Sequence, residues 1–534
     1  MQNIKNQYAE IAHKKIDKSF FIVIIVLFAF VLRVSTFFIA NNSFGFVPFY
    51  DEAVHYSLAN SVLYGQKLYV DQIFLHPPSI ITFSMPFAAL GSVISDMNAL
   101  IVQSVFMCLL GAVNTYLIYS LAIRFCSKKF AFFVAFIYAI FPISVSADQR
   151  GIIEPVLNCF ILIGLMFLVK QKFSNELNYK LKYQPQIIFA GVCFGAASSL
   201  KVWGGAFTAV IFVLFLVYKE YRKSIVFIIS SLFAFLFLSI PYFINNFSAV
   251  AYFFKYILLD QAAVTMSGVE IWKKFLGFAI LALWLIFVPN LVRKYLIYSN
   301  FAKNFVFCCV SVFTGLSLGL IILSRQYWHY WDWFIPFALI FLGGVFCYII
   351  DNAGNNKRFL FGQKSTNLMI SGCSVILFLF FVSINFYHSF YSPEPFNVSQ
   401  PFKISYIKSA DGISALHDYI VEKQENSQLK SLNKCVYSYA DVLVIANFVT
   451  LNYQNNCFIQ ADIYGEFIKN NPTKISDDMY EDLPKYALNA NAPFVLIPSG
   501  LRLYFIKNAF FLQTYTKDTA INNIDIWQKN NISL

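Results

Sequence analysis

Charge is scarce in this chain. Asp, Glu, Lys and Arg make up 13% of the 534 residues, about half the share of an ordinary soluble domain. Apolar residues reach 58%, so too little polar surface remains to cover a water-soluble globule. The cysteines lack metal-ligand spacing. All except Cys435 and Cys457 lie in or beside apolar runs and read as small core residues. No A-x-A-like site closes the first apolar run, Ser19 to Ala40, which is also too long for the core of a signal peptide. It reads as an uncleaved first helix. No internal repeat or inverted half-symmetry is visible, which counts against a secondary transporter.

What is present is a series of apolar runs, each long enough to cross a bilayer. We place about eleven spanning helices, at approximately 19–40, 98–123, 130–147, 152–170, 186–200, 203–219, 223–244, 275–297, 304–324, 330–350 and 369–390. The fifth and sixth are separated only by Lys201-Val202-Trp203. The expected class is a mainly α, polytopic membrane protein. Alternate loops carry Arg124 with Lys128 and Lys129, Lys170 with Lys180, Lys219 with Arg222, Arg293 with Lys303, and Lys357 with Arg358. Basic loops stay on the cytoplasmic side, so the N-terminus is expected inside. The net charge of +12 then reflects topology rather than nucleic-acid binding.

This orientation leaves 41–97, 148–151, Lys201, 245–274, 325–329 and 391–534 outside. Segment 41–97 keeps amphipathic spacing from Glu52 to Leu63 and is expected to hold helices lying in the interface. The chain divides into a membrane domain, 1–390, and an extracytoplasmic domain, 391–534. In the latter, helical patterns at 414–425, 441–451 and 476–488 alternate with strand-like runs at 436–439, 457–460 and 494–498, which predicts a small α/β domain.

Ionisable residues collect at the outer ends of the helices: Asp51, Glu52, His55, His76, Asp148, Arg150, Glu154, Lys201, Arg325, His329 and Asp332. They come from separate loops, yet the topology brings them to one side. Asp51 and His55 are four apart and share a face if helical. That spacing suits a metal pair, or a base with its orienting partner; it is common, and a capping Asp51 beside a solvated His55 is the plainer reading. Lys201 and Arg150 could bind an anion or snorkel to headgroups. Trp328 and Trp331 read as an interfacial aromatic belt.

In order along the chain, several segments resemble the class C glycosyltransferases, polytopic enzymes that use lipid-phosphate-linked sugars. Asp51-Glu52-Ala53 with Tyr56, Ala59 and Gly65 is similar to the first-loop acidic motif. Leu75-His76-Pro77-Pro78 is similar to the Pro-Pro segment, and Asp148 through Pro155 to the second acidic segment. Leu200-Lys201 with Gly204, and His329-Tyr330 with Pro336, are similar to two later segments. The branch most resembled contains the lipid A aminoarabinose transferases and the protein O-mannosyltransferases (family 39-like). The aminoarabinose branch carries Lys before the double proline; His76, when neutral, supplies no permanent cation there. The Trp-Trp-Asp-Tyr-Gly motif of oligosaccharyltransferases is absent.

The resemblance implies a membrane-embedded transferase moving a hexosyl or pentosyl group from a polyprenyl-phosphate donor to lipid A, an envelope glycan or a protein hydroxyl. Asp51 is then the catalytic base, and Arg150 and Lys201 bind the departing phosphate. Glu52, His55, His76, Glu154, Arg325 and His329 complete the substrate-binding set. A divalent metal ion at Asp51 and His55 is the one candidate cofactor. Lys and Asn far outnumber Arg, as in an AT-rich bacterial genome, so undecaprenyl phosphate in a bacterial inner membrane is expected. The other reading is a polytopic lipid or solute transporter or flippase. Cys435 and Cys457, paired in an oxidising compartment, are expected to form a disulfide; the other reading is two buried thiols.

Overall fold

The computed structural model describes residues 22–39, 50–63, 65–69, 74, 76–170, 185–244, 247–260, 271–295, 301–323, 330–355, 436–438, 483–498, 501–521 and 524–530, with 415, 419, 422 and 481. Helix α1 spans Ile22–Ile39. It is followed by α2 (Tyr50–Leu63), α3 (Ser79–Ile94), α4 (Asp96–Ala122), α5 (Lys128–Ile140), α6 (Pro142–Ala147), α7 (Glu154–Lys170), α8 (Pro185–Leu200), α9 (Val202–Val217) and α10 (Tyr221–Phe243). Next come α11 (Phe247–Tyr252), a π-helical segment (Phe253–Asp260), α12 (Ile271–Tyr295), α13 (Phe301–Leu323) and α14 (Trp331–Asn355).

Among the described residues, α1, α4, α10, α13 and α14 include 5 helical stretches long and apolar enough to cross a membrane; α3, α8 and α9 are shorter and apolar. The expected spans down to 350 each coincide with described helix, with one correction. The run expected as one helix over 130–147 is two, α5 and α6. Pro142 opens α6, and Phe141 before it is extended (φ −68°, ψ 119°). A residue preceding proline is driven out of the helical region by the proline ring. The expected break at Lys201 is present: this residue is extended (φ −152°, ψ 143°) between α8 and α9. The expected helix at 369–390 lies outside the described residues.

One continuous apolar core joins α2 through α10 with α13 and α14. A second, smaller core packs α1 against α4 and α5 through Ile25, Ala29, Ala112, Ala135 and Ala139. Small side chains there let helix backbones approach, the packing mode available where solvent does not drive helices together. The outer faces are apolar. On α10, Ile225, Ile229, Phe233 and Phe237 repeat every fourth residue and are exposed, a stripe suited to lipid. Helix α2 differs from the expected interfacial helix, since residues 52–61 are all buried. It is packed inside the protein, where its polar side chains need protein partners.

Near the C-terminus, β1 (Val436–Ser438), α15 (Leu483–Ala490), β2 (Phe494–Pro498), α16 (Arg502–Ile506), α17 (Ala509–Thr514), β3 (Tyr515–Ile521) and β4 (Ile524–Lys529) follow. The strands form one mixed sheet in the order β1-β2-β4-β3. β1 pairs parallel to β2, and β4 runs antiparallel to both β2 and β3. The expected strands at 436–439 and 494–498 are β1 and β2; β3 and β4 were not anticipated. Phe511 on α17 packs on Phe505 of α16, on Tyr515 and on Trp527. Buried Asp525 on β4 is paired with Arg502 and Lys517. The expected strand at 457–460, the expected helix at 441–451, and Cys435 and Cys457 lie outside the described residues.

Candidate functional site

The site is built around the turn between α6 and α7, residues 148–153. At its start Asp148 meets Arg33, which reaches out from within α1. The guanidinium Nε and Nη2 both lie 2.8 Å from Asp148 Oδ2, and both side chains are fully buried. Arg33 Nη1 also donates to the carbonyls of Ala29 at 3.2 Å and Ala139 at 3.1 Å. Tyr138 adds an O–H donor to Asp148 Oδ2 at 3.3 Å. This pair crosses α4 at Gly111, where any Cβ would collide with Asp148 and Arg33. One residue on, the Gln149 amide donates to Thr36 on α1. Two side chains thus tie the first half of the turn to α1.

The second half is tied to α2. The Gly151 N–H donates to Glu52 Oε1 at 3.0 Å, and Ser104 Oγ on α4 donates to the same oxygen at 2.7 Å. His55 Nδ1 lies 3.0 Å from the Gly151 carbonyl. A carbonyl only accepts, so the imidazole carries its proton on Nδ1. Burial pushes the His55 pKa down to about 4, opposed by the Gly151 hydrogen bond and the Glu154 charge and assisted by the Lys201 charge. His55 is therefore neutral near pH 7. Its ring lies 5.8 Å from that of Phe74, which lies 5.4 Å from that of His76.

Glu154 opens α7, followed by Pro155 in the first turn, where a missing N–H costs nothing. Glu154 Oε1 is 2.6 Å from Lys201 Nζ, and both residues are buried. The ammonium also lies 4.2 Å from the centre of the Tyr330 ring and 5.3 Å from that of Trp333. Buried as it is, Lys201 is not a headgroup-snorkelling residue. One turn along α7, Asn158 Nδ2 donates to Asp332 Oδ2 at 2.9 Å and to the Asp332 carbonyl at 3.0 Å, joining α7 to the start of α14.

Three ionisable members are only partly buried: Asp51, His76 and Arg150. The Tyr69 hydroxyl donates to the His76 carbonyl at 2.7 Å and fixes that segment. Asp51 and His55 lie one turn apart on α2, as their spacing required. Among the described residues, no set of three or more His, Cys, Asp and Glu side chains gathers to hold a metal ion. Of the expected pair, His55 has its Nδ1 engaged by Gly151.

The geometry can be set beside known proteins. The structure superposes on that of ArnT from Cupriavidus metallidurans bound to undecaprenyl phosphate with a TM-score of 0.53 and 13% sequence identity, covering 96% of this chain and 98% of that chain. The two proteins share one fold. Two structures of the Archaeoglobus fulgidus oligosaccharyltransferase are similar too. One is tethered to an acceptor peptide containing the NVT sequon (TM-score 0.50, 12% identity, 97% of this chain and 74% of that chain). The other, AglB, is in complex with an inhibitory peptide and a dolichol-phosphate (0.50, 12%, 98% and 75%). By sequence, residues 92–227 match the family model of dolichyl-phosphate-mannose-protein mannosyltransferases. That stretch holds the 148–153 turn, Glu154 and Lys201, but not α2. Compared by sequence with curated proteins, the chain matches none.

On this fold, Asp51, Glu52, His55, Arg150, Glu154 and Lys201, expected from three segments, are brought toward one turn. His76 joins them through Phe74. Arg325 and His329 lie outside the described residues. Reasoning from sequence missed Arg33, Ser104, Gly151 and Asn158. Arg33 carried a signal: a permanent cation inside an apolar run is costly unless it has a partner there. Asn158, likewise inside a run, carried a weaker one. Nothing local marked Ser104 or Gly151.

Proposed function

We propose that this protein is an inverting glycosyltransferase that moves a sugar from a polyprenyl-phosphate carrier to a hydroxyl or phosphate acceptor on the outer face of a membrane. The observation that carries this reading is a gradient of burial. Glu52, His55, Glu154 and Lys201 are buried, whereas Asp51, His76 and Arg150, from the same two segments and the loop after α2, keep part of their surface accessible. An accessible carboxylate and an accessible cation are what the transfer needs. A polyprenyl phosphate is a good leaving group, so no strong acid is required. Asp51 takes the proton of the acceptor hydroxyl as its oxygen attacks the anomeric carbon. The bond to the carrier phosphate breaks, and Arg150 stabilises the charge growing there. A single displacement of this kind inverts the anomeric centre.

Lys201 is assigned to donor phosphate as the second cation, at a cost. A phosphate must compete with Glu154 at 2.6 Å, so Lys201 contributes to the field behind the site more than to first capture. The fold shared with proteins that hold undecaprenyl phosphate or dolichol-phosphate and the mannosyltransferase family match support a lipid-phosphate donor. The bacterial inner membrane, an outward C-terminal domain, and lipid A, envelope glycan or protein as acceptor belong to the same proposal.

The test is transfer by the purified chain in vesicles, supplied with undecaprenyl-phosphate sugars and lipid A or peptide acceptors. Product configuration is read by NMR. Inversion is expected, and Asp51→Asn should lower turnover by ~10²–10⁴-fold, the usual contribution of a positioned base. Retained configuration, or turnover near wild type in Asp51→Asn, would remove this mechanism.

A further inference from the structure

We propose that Glu52 and His55 are positioning residues: together they latch the backbone of Gly151, and so hold Arg150 against α2 at a fixed offset from Asp51. This rests on the reading of Asp51 and Arg150 given above. It replaces the expectation that Glu52 and His55 touch sugar or acceptor.

The two side chains lie three residues apart on α2, a separation that puts them on one face. Between them they use both backbone groups of Gly151. Glu52 Oε1 accepts the N–H at 3.0 Å, and His55 Nδ1–H donates to the carbonyl at 3.0 Å. Ser104 Oγ, 2.7 Å from Oε1, steadies the carboxylate from the far side. Glu52 is fully buried and His55 nearly so. The approach is close: a Cβ on residue 151 would stand 2.7 Å from Gln103 Nε2 and 3.0 Å from Glu52 Cγ. A larger residue there would push on Gln103 and on the latch carboxylate itself.

The other end of the same turn is held by Asp148 on Arg33 and by Gln149 on Thr36. Arg150 is thus flanked by an anchor on each side, one to α1 and one to α2. Its own N–H donates to Ala147 at 3.1 Å. Asp51 precedes Glu52 directly, so the latch joins the residue beside the base to the residue beside the cation. Releasing it removes one of the two anchors that flank Arg150 while leaving both the base and the cation in the chain.

Four variants separate positioning from substrate contact, with the full chain in nanodiscs. Glu52→Gln keeps the Oε1 acceptor, and His55→Asn places an amide donor near the former Nδ1; Glu52→Ala and His55→Ala keep neither. Amide exchange is followed by mass spectrometry on a peptide covering residues 148–156, and transfer kinetics are measured alongside. In the alanine variants, exchange should quicken ~10-fold or more as the turn opens locally, and kcat should fall with it. In Glu52→Gln and His55→Asn, exchange should stay native, and most of the kcat lost in the alanine variants should return. Native exchange in both alanine variants would overturn the latch. So would Glu52→Gln as damaging to kcat as Glu52→Ala with exchange unchanged, because the charge of the carboxylate, on Arg150 or on substrate, would then matter rather than its hold on Gly151. Exchange needs no substrate. If the wild type transfers no sugar, the exchange pattern alone decides the latch, and only the glycosyltransferase reading falls.

Discussion

Arg33 and Asp148 form a fully buried ion pair between residues 115 apart in sequence. Removing either partner leaves the other charge in the bundle, yet the two losses should differ. In Asp148→Asn the guanidinium stays charged at any usable pH, so the penalty is the ~3–5 kcal/mol typical of a broken buried pair. In Arg33→Met the carboxylate can escape by taking a proton. From an ordinary value near 3.9, that costs about 4 kcal/mol at pH 7 but only about 1.5 kcal/mol at pH 5. The Arg33→Met penalty is therefore capped, and the cap falls with acidification; that of Asp148→Asn is not. In the double variant no charge remains, and the amide oxygen introduced at position 148 can still accept from Tyr138, so stability should return to within ~1–2 kcal/mol of wild type. For 534 residues the entropy of unfolding is at most about 1.1 kcal/mol per kelvin. A loss of ~4 kcal/mol then lowers Tm by at least ~3–4 °C. Thermal unfolding of the four proteins in one detergent, at pH 7 and pH 5, provides the cycle. Single variants within 1 °C of wild type, or a Tm deficit of Arg33→Met that does not shrink at pH 5, would refute the reasoning.

Arg150→Ala should weaken use of the lipid-phosphate donor by ~2–5 kcal/mol in kcat/KM. Lys201→Ala should also destabilise the fold, because it strands buried Glu154, whereas Lys201→Met with Glu154→Gln should recover stability but not donor use. Equal donor kinetics in wild type and both alanine variants would remove these residues from phosphate binding. His55, depressed to about 4 by burial, binds its proton later in the folded chain than in the unfolded one. Stability is then complete above the unfolded value near 6.5 and is lost as pH falls toward 4, by up to ~3 kcal/mol. Comparing the pH dependence of Tm between wild type and His55→Asn isolates this part; parallel curves would contradict a buried neutral imidazole.

Much of the architecture follows from local chemistry, and for that the amino-acid sequence suffices. Apolar runs of bilayer length dictate where helices lie, because a backbone in lipid must satisfy its own hydrogen bonds. The break at Lys201, the strands β1 and β2, and the gathering of ionisable residues toward common loops were all legible. The Phe141-Pro142 break comes from the steric clash of the proline ring with the residue before it. β3 and β4 were not legible, because Thr516, Lys517, Asp518 and Asp525 dilute an apolar alternation that only pairing within the sheet makes stable. The identities of the site residues were mostly legible as well, since charge near an apolar run is rare enough to stand out. What each does was decided only in three dimensions. Lys201 reads as a free cation until Glu154, 47 residues away, is found 2.6 Å from it. Glu52 stands in the sequence as one more acidic residue after an apolar run; only the fold shows its carboxylate accepting from Gly151, 99 residues on. A buried charge gains its role from the partner that offsets its desolvation, and that partner is selected by the packing of α1, α2, α4, α7 and α9 rather than by any neighbour along the chain.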